Sequence, residues 1–221
     1  MRSTSLVRLR PVAKNRPGRN HRKTPERRHA GCAEPLPPPI LLMTAQPKVF
    51  LRALEEGDLE RTCRWHNDRE LYHTLVDGFR FVSEQVESDW LAKRMNYSQT
   101  EVNLAICLSP GKKHIGNIYL RPINLTFRNA VLGILIGEKT YRGRGFGRQA
   151  LCAVLRHAFG DLGLRRVYFE VLADNKPAIR LYEKVGFKTE GRLRNHVFKA
   201  GKFKDVLVMG ILAEDYPPDA R

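Results

Sequence analysis

The sequence predicts a mixed α/β fold, with one layer of sheet covered by helices. Three observations carry that expectation. Short apolar runs of strand length alternate with longer segments whose apolar residues recur at helical spacing, and turn residues separate the two. No stretch approaches the roughly 18 uninterrupted apolar residues of a membrane-spanning helix. At 221 residues, 42% of them hydrophobic, the chain suffices for one compact domain with a sizeable core.

The regular pattern starts at Val49, where Val49–Leu51 reads as a short strand. Asp58 stands where it can cap a helix running to about Asn67. Ser83 can cap a second helix that carries Val86, Trp90, Leu91 and Met95 on one side. Val102–Leu108 and Ile115–Leu120 read as strands joined by the turn Ser109-Pro110-Gly111. Ala130–Ile136 is nearly all apolar, so it is expected at the centre of the sheet and buried on both faces. A helix follows with Leu151, Val154, Leu155, Ala158 and Phe159 at helical spacing. Arg166–Leu172 is the next strand. Asn175 then caps a helix with Pro177 near its start, an inner stripe of Ala178, Leu181, Tyr182 and Val185, and Gly186 at its end. Two last strands, about Lys188–Phe198 and Phe203–Leu212, turn at Ala200-Gly201-Lys202. The order is strand, two helices, three strands, helix, strand, helix, two strands.

Charge divides the chain. The formal net charge is +16, and half of it lies in residues 1–42, which hold ten Lys/Arg against two acids. That segment is rich in Arg and Pro and poor in aromatics, so burial cannot offset its ordering entropy and disorder is expected. It reads as an organelle transit peptide, as a basic arm for nucleic acid or ribosomes, or as a stretch outside the natural product. The abrupt shift at Met43 favours the last, with the domain proper over 43–221. Nucleic acid is not an expected partner, because half of the charge sits in that segment and no base-stacking motif accompanies it. Cys32, Cys63, Cys107 and Cys152 are scattered without Cys-x-x-Cys or zinc spacing. The expectation is reduced thiols in the cytoplasm and no metal.

The segment that carries chemistry is Tyr141-Arg142-Gly143-Arg144-Gly145-Phe146-Gly147, a glycine-rich start to a helix just after the central strand. Glycines let an anion approach the backbone closely, and the helix start offers unpaired N–H groups at the positive end of its dipole. Arg142, Arg144 and Arg148 add charge that can pair with phosphate. The alternative is a tight turn flanked by solvated arginines. A dinucleotide fold wants its glycines after the first strand, and a nucleotide-hydrolysing loop ends in Gly-Lys-Ser/Thr. This loop sits two-thirds along the chain and ends Gly147-Arg148-Gln149.

The loop resembles the Gln/Arg-x-x-Gly-x-Gly/Ala motif of the GNAT superfamily of N-acetyltransferases. The run from Asn175 to Phe187 is similar to the second signature of that superfamily, in the expected order and one helix and one strand downstream. Trp65-His66-Asn67-Asp68 and the ending Phe203–Gly210 are similar to the branch of ribosomal-protein N-terminal, polyamine and nucleotide-amino-sugar acetyltransferases. The resemblance implies a mostly antiparallel seven-stranded sheet flanked by helices, with a splay between the fourth and fifth strands that takes acetyl-coenzyme A. It places the pantetheine arm on the backbone of Ile134, Leu135 and Ile136, the pyrophosphate on the amides from Arg142 through Gly143, Arg144, Gly145 and Phe146 to Gly147, and Asn175 within reach of the cofactor. Asn175 reads equally as a plain helix cap.

The implied reaction is direct attack of an amine on the thioester. An alkyl amine near pKa 10.4 is protonated at pH 7, and freeing it costs about 4.6 kcal/mol, which a base addresses. By resemblance Tyr182 is the acid beside the sulfur; the plain reading is a core tyrosine. Glu170 is the first choice of base, since it lies 12 residues before Tyr182, the spacing in ribosomal-protein acetyltransferases of the family. It is also a carboxylate within an apolar strand, where burial would raise its pKa; strand alternation could instead put it on a wet face. Glu138 is the second choice. His73 and His196 are acceptor-site candidates set against a reading as surface histidines. The acceptor, a small-molecule or protein amine, stays open among amino sugars, polyamines and protein N-termini, as does a homodimer. A catalytically weak acyl-coenzyme-A-binding module is the competing function.

Overall fold

The computed structural model describes residues 47–216. The expectations for residues 1–42 lie outside the described residues. Seven strands form one sheet in the order β1-β2-β3-β4-β5-β7-β6. Strands β1 (Lys48–Ala53), β2 (Val102–Ser109), β3 (Lys113–Asn124) and β4 (Asn129–Ile136) are successive antiparallel neighbours. Strands β5 (Arg166–Leu172), β7 (Lys202–Leu212) and β6 (Lys188–Lys199) form a second antiparallel set. One parallel contact joins the sets: Asn129, Ala130 and Val131 of β4 against Arg166, Val167 and Tyr168 of β5. Beyond Val131 the two strands pair no further, so the edge of β4 from Leu132 to Ile136 that faces β5 carries no strand partner.

Among the described residues there are five α-helices, with helices on both faces of the sheet. Helix α4 (Phe146–Arg156) and α5 (Lys176–Val185) pack on one face. Leu151, Val154 and Leu155 of α4 and Ile179 of α5 are buried there with Ile118, Leu132, Val167 and Met209 of the sheet. On the opposite face, Leu91 of α3 (Glu84–Met95) shares a smaller apolar cluster with Ala105 and Cys107 of β2, joined by Leu59 of α1 (Leu59–His66). The single turn α2 (Arg69–Tyr72), with Asp68 capping it at Leu71 N (3.1 Å), has no counterpart in the sequence reading. Among the described residues no helix is long and apolar enough to cross a membrane.

The predicted end signals of α5 are present. Asn175 Oδ1 accepts from Ala178 N at 3.2 Å, Pro177 lies in the first turn, and Gly186 closes the helix at φ +112°. Ser83 caps α3 through Val86 N.

Three local expectations need correction. Asp58 does not cap α1 with its side chain. It is buried and bound by Arg52, whose two terminal nitrogens each donate at 2.7 Å, and by the Glu55 amide at 3.0 Å. Helix α3 packs Trp90, Leu91 and Met95 against the sheet as predicted, but leaves Val86 exposed and buries Glu87 in its place. Strand β4 is central, yet only Ala130 and Leu132 are buried; Val131 and residues 133–136 are half-buried, with Ile134 and Leu135 in the wall of a cavity beneath α3.

Candidate active site

Two features meet at the divergence of β4 and β5. The first is the glycine loop. Gly143 and Gly145 adopt φ of +73° and +84°, a region that side chains disfavour, and nothing lies within 4 Å of where a Cβ would stand on either. Gly147 packs against α5, where a Cβ would meet Leu181 at 3.2 Å. Phe146 is buried and anchors the loop in the core. No backbone partner is formed by the amides from Gly143 to Gly147 among the described residues, as expected for a helix N-terminus. An open, positively polarised cradle of N–H groups fits a pyrophosphate.

The cradle begins one residue later than expected. The Arg142 amide donates to Lys139 O at 3.2 Å, and its guanidinium donates to Ile136 O at 2.8 Å and Gly137 O at 2.7 Å. Arg142 therefore ties the loop to the end of β4 instead of facing an anion. Arg144 is exposed, with its guanidinium 5.6 Å from the Tyr141 ring centroid and 5.7 Å from that of Phe146. Neither Arg144 nor Arg148 pairs with a carboxylate among the described residues.

The second feature is a cavity of about 300 Å³ on the α3 face. Ile134 and Leu135 of β4 are part of its wall, so it adjoins the free strand edge. Tyr119 of β3 lies across Gly133; a Cβ there would be 1.9 Å from the phenol ring. Glycine at 133 is therefore required for that ring to pass. The segment between α2 and α3 forms the outer wall and is tied at three points. Asn67 exchanges hydrogen bonds with Val82 (2.8 and 3.1 Å), Asn175 Nδ2 donates to Thr74 O (3.0 Å), and the buried Lys199 ammonium donates to Tyr72 O (2.8 Å) and Asp77 O. Both ends of the Asn175 amide are thus engaged, one on its own helix and one on this wall.

Tyr182 sits on α5 with its ring 4.1 Å from that of Phe169 on β5. Burial pushes its phenol well above the ordinary tyrosine value, and Tyr119 across the divergence adds to the shift. The group therefore holds its proton throughout the neutral range. Glu170 is not buried. Its side chain is 43% exposed, on the strand face opposite Phe169 and Val171, with His196 Nε2 of β6 at 3.8 Å. Strand alternation, not the apolar character of its neighbours, decides its environment. Glu138 follows β4, where Oε1 takes both the Arg64 guanidinium and Trp65 Nε1 (3.3 Å). The indole packs over Gly137, where a Cβ would lie 2.1 Å from it.

The sequence reading missed the inner wall of the cavity. His66 and Glu87 face each other there, with Nδ1 2.5 Å from Oε2, beside Trp90 and Arg121. The run Trp65-His66-Asn67-Asp68 marked the place, but nothing local linked it to Glu87. His73 and His196 are not in the cavity wall. Among the described residues no group of three His, Cys, Asp or Glu side chains could hold a metal ion.

Comparison with known proteins identifies the family. Residues 48–188 match the acetyltransferase (GNAT) domain family. The spermidine N(1)-acetyltransferase of Vibrio cholerae is 31% identical over 176 residues, covering 76% of this chain and 95% of that protein. Its Escherichia coli K12 counterpart is 32% identical over 178 residues, covering 79% and 91%. The crystal structure of the V. cholerae enzyme with CoA and spermine superimposes with a TM-score of 0.71 at 30% identity, covering 76% of this chain and 98% of that one. A dodecameric form of that enzyme gives 0.67 at 29% identity, covering 79% and 99%.

Proposed function

The chain belongs to the GNAT acetyltransferase family and is an N-acetyltransferase using acetyl-coenzyme A; on that premise we propose that it acetylates a small primary amine held in the cavity beneath α3. The observation that carries this reading is the adjacency of three parts: the free edge of β4, the glycine cradle, and a cavity whose wall includes Ile134 and Leu135. Spermidine, the substrate in the relatives' names, is the first acceptor to test.

When bound, acetyl-coenzyme A supplies an acyl group activated as a thioester. The amides of Gly143, Arg144, Gly145, Phe146 and Gly147 hold its pyrophosphate, and the backbone of Ile134, Leu135 and Ile136 pairs with the pantetheine arm. Arg142 and Asn175 shape the site from outside, the first by fixing the loop to β4 and the second by fixing the cavity wall to α5. Tyr182, kept protonated by burial, donates toward the departing sulfur. Glu170, exposed beside His196 and outside the cavity wall, takes the proton of the incoming ammonium through water. Glu138 serves the fold by holding Arg64 and Trp65 at the end of β4. On the precedent of the dodecameric relative, the protein is a homo-oligomer, which light scattering measures.

The test is release of free thiol from acetyl-coenzyme A in the presence of an amine panel. Amine-dependent release supports the reading. Tight acetyl-coenzyme A binding without release for any amine leaves a binding module of the same fold.

A further inference from the structure

The cavity wall has a charge pattern that selects among amines. Glu87 is 1% exposed. Its Oε2 pairs with His66 Nδ1, while its Oε1 is buried with no hydrogen-bond partner. A buried carboxylate oxygen without a donor is costly and rarely left so. Such an oxygen accepts from a donor, and for a carboxylate an ammonium is among the strongest. Two arginines, Arg80 and Arg121, also line the cavity. Among the described residues neither has a carboxylate within ion-pairing distance. Arg121 is held face-on to Tyr119, 4.0 Å from the ring centroid, with Nη1 3.3 Å from Asn103 Oδ1. A planar fork fixed by stacking is preorganised for a carboxylate or phosphate.

We infer that the acceptor is a zwitterionic amine, whose ammonium is received by Glu87, oriented by His66, and whose carboxylate or phosphate is received by Arg121 and Arg80. The inference rests on the acetyltransferase reading of the same site. It sets this chain apart from its relatives named for spermidine. A polycation would bring several positive charges against two carboxylates, Glu87 and Asp77, that already share the cavity with two arginines. The volume of about 300 Å³ is at the small end for ligand pockets, which suits a short molecule.

The test has a binding arm and a turnover arm, both on the full chain. For binding, calorimetry on protein saturated with coenzyme A, which cannot react, compares glycylglycine with glycylglycinamide, and adds O-phosphoethanolamine and spermidine. The expected result is that one of the two anionic amines binds at least about tenfold more tightly than the amide and spermidine; which one it is separates carboxylate from phosphate. Arg121→Met should erase that preference. Glu87→Gln should weaken every amine about tenfold or more while coenzyme A affinity holds. Thermal melts of both variants check folding, and Arg121→Met, at a half-buried position, keeps the test decisive if Glu87→Gln unfolds. Spermidine binding as tightly as the anionic amines, or Arg121→Met leaving the preference intact, overturns the inference. Thiol release from acetyl-coenzyme A with the same amines is the separate arm. If binding follows the prediction and no release occurs, the acetyltransferase reading fails while the ligand class stands.

Discussion

The glycine loop at the head of α4 is made of local backbone, whereas the cavity beneath α3 is assembled from side chains far apart in the chain. In the loop, five consecutive residues from Gly143 to Gly147 supply the turn, the open space and the free amides. In the cavity, His66 meets Glu87 across 21 residues, Asn175 reaches Thr74 across 101, and Lys199 reaches Tyr72 across 127. The difference teaches where tolerance lies. A backbone cradle depends on a few φ angles and resists side-chain change elsewhere. A cavity held by distant side chains can change its ligand by substitution without disturbing the cradle.

The largest effect should come from attacking the backbone half. Gly145→Val puts a branched side chain at φ +84°, straining the loop by about 1–2 kcal/mol and filling the space a phosphate would take. Calorimetry should find acetyl-coenzyme A binding abolished in a protein that still melts cooperatively. Unchanged affinity would remove the cradle from the account.

Next come the groups between the two halves. Tyr182→Phe keeps the ring stacked on Phe169 and removes the donor, so kcat should fall roughly 10–1,000-fold with acetyl-coenzyme A affinity nearly unchanged. Glu170→Gln should also lower kcat, and its defect should shrink as pH rises toward the amine's own pKa, where substrate arrives deprotonated. The tyrosine defect should not be relieved in this way. A pH–rate profile of both variants measures the difference; a silent Tyr182→Phe would return that residue to the core.

Asp58 and Glu87 are both buried carboxylates, and they differ in their partners. Burial works against the charge of Asp58, yet the Arg52 hydrogen bonds, the Glu55 amide and His114 hold its carboxyl below the usual range. Because the folded value is depressed, this stabilisation is present above the unfolded carboxylate value near 3.9 and is lost as pH falls through the lower folded value. Arg52→Ala leaves the buried charge without its partner and should cost about 3 kcal/mol at pH 7. The loss should shrink near about pH 3, where the variant's Asp58 is protonated. Denaturant titrations at the two pH values check it. Asp58 is thus a saturated structural carboxylate, and Glu87, with one oxygen unpartnered, is not.

Legibility in the sequence follows the same division. Every strand of the sheet, the caps Ser83 and Asn175, and the stop at Gly186 were readable, because each depends on residues a few positions apart. The splay was readable only through resemblance, since nothing local says where β4 and β5 cease to pair. Glu87 was missed because periodicity counts apolar residues, and a buried charge looks like a polar face until its partner is known. Asp58 was misread as a cap because its real partner, Arg52, lies on the preceding strand. Of the two environments the sequence left open for Glu170, burial and a wet face, the structure has the second, because neighbours in a strand alternate between faces.

Whether the two halves are separable is settled most directly by crossed kinetics. Steady-state rates should be measured over a grid of acetyl-coenzyme A and amine concentrations for Gly145→Ala and Glu87→Gln. The account predicts that Gly145→Ala raises the KM for acetyl-coenzyme A about tenfold, from strain at φ +84°, with the amine KM unchanged within about twofold. It predicts the reverse for Glu87→Gln. Either substitution raising both constants together would contradict the account.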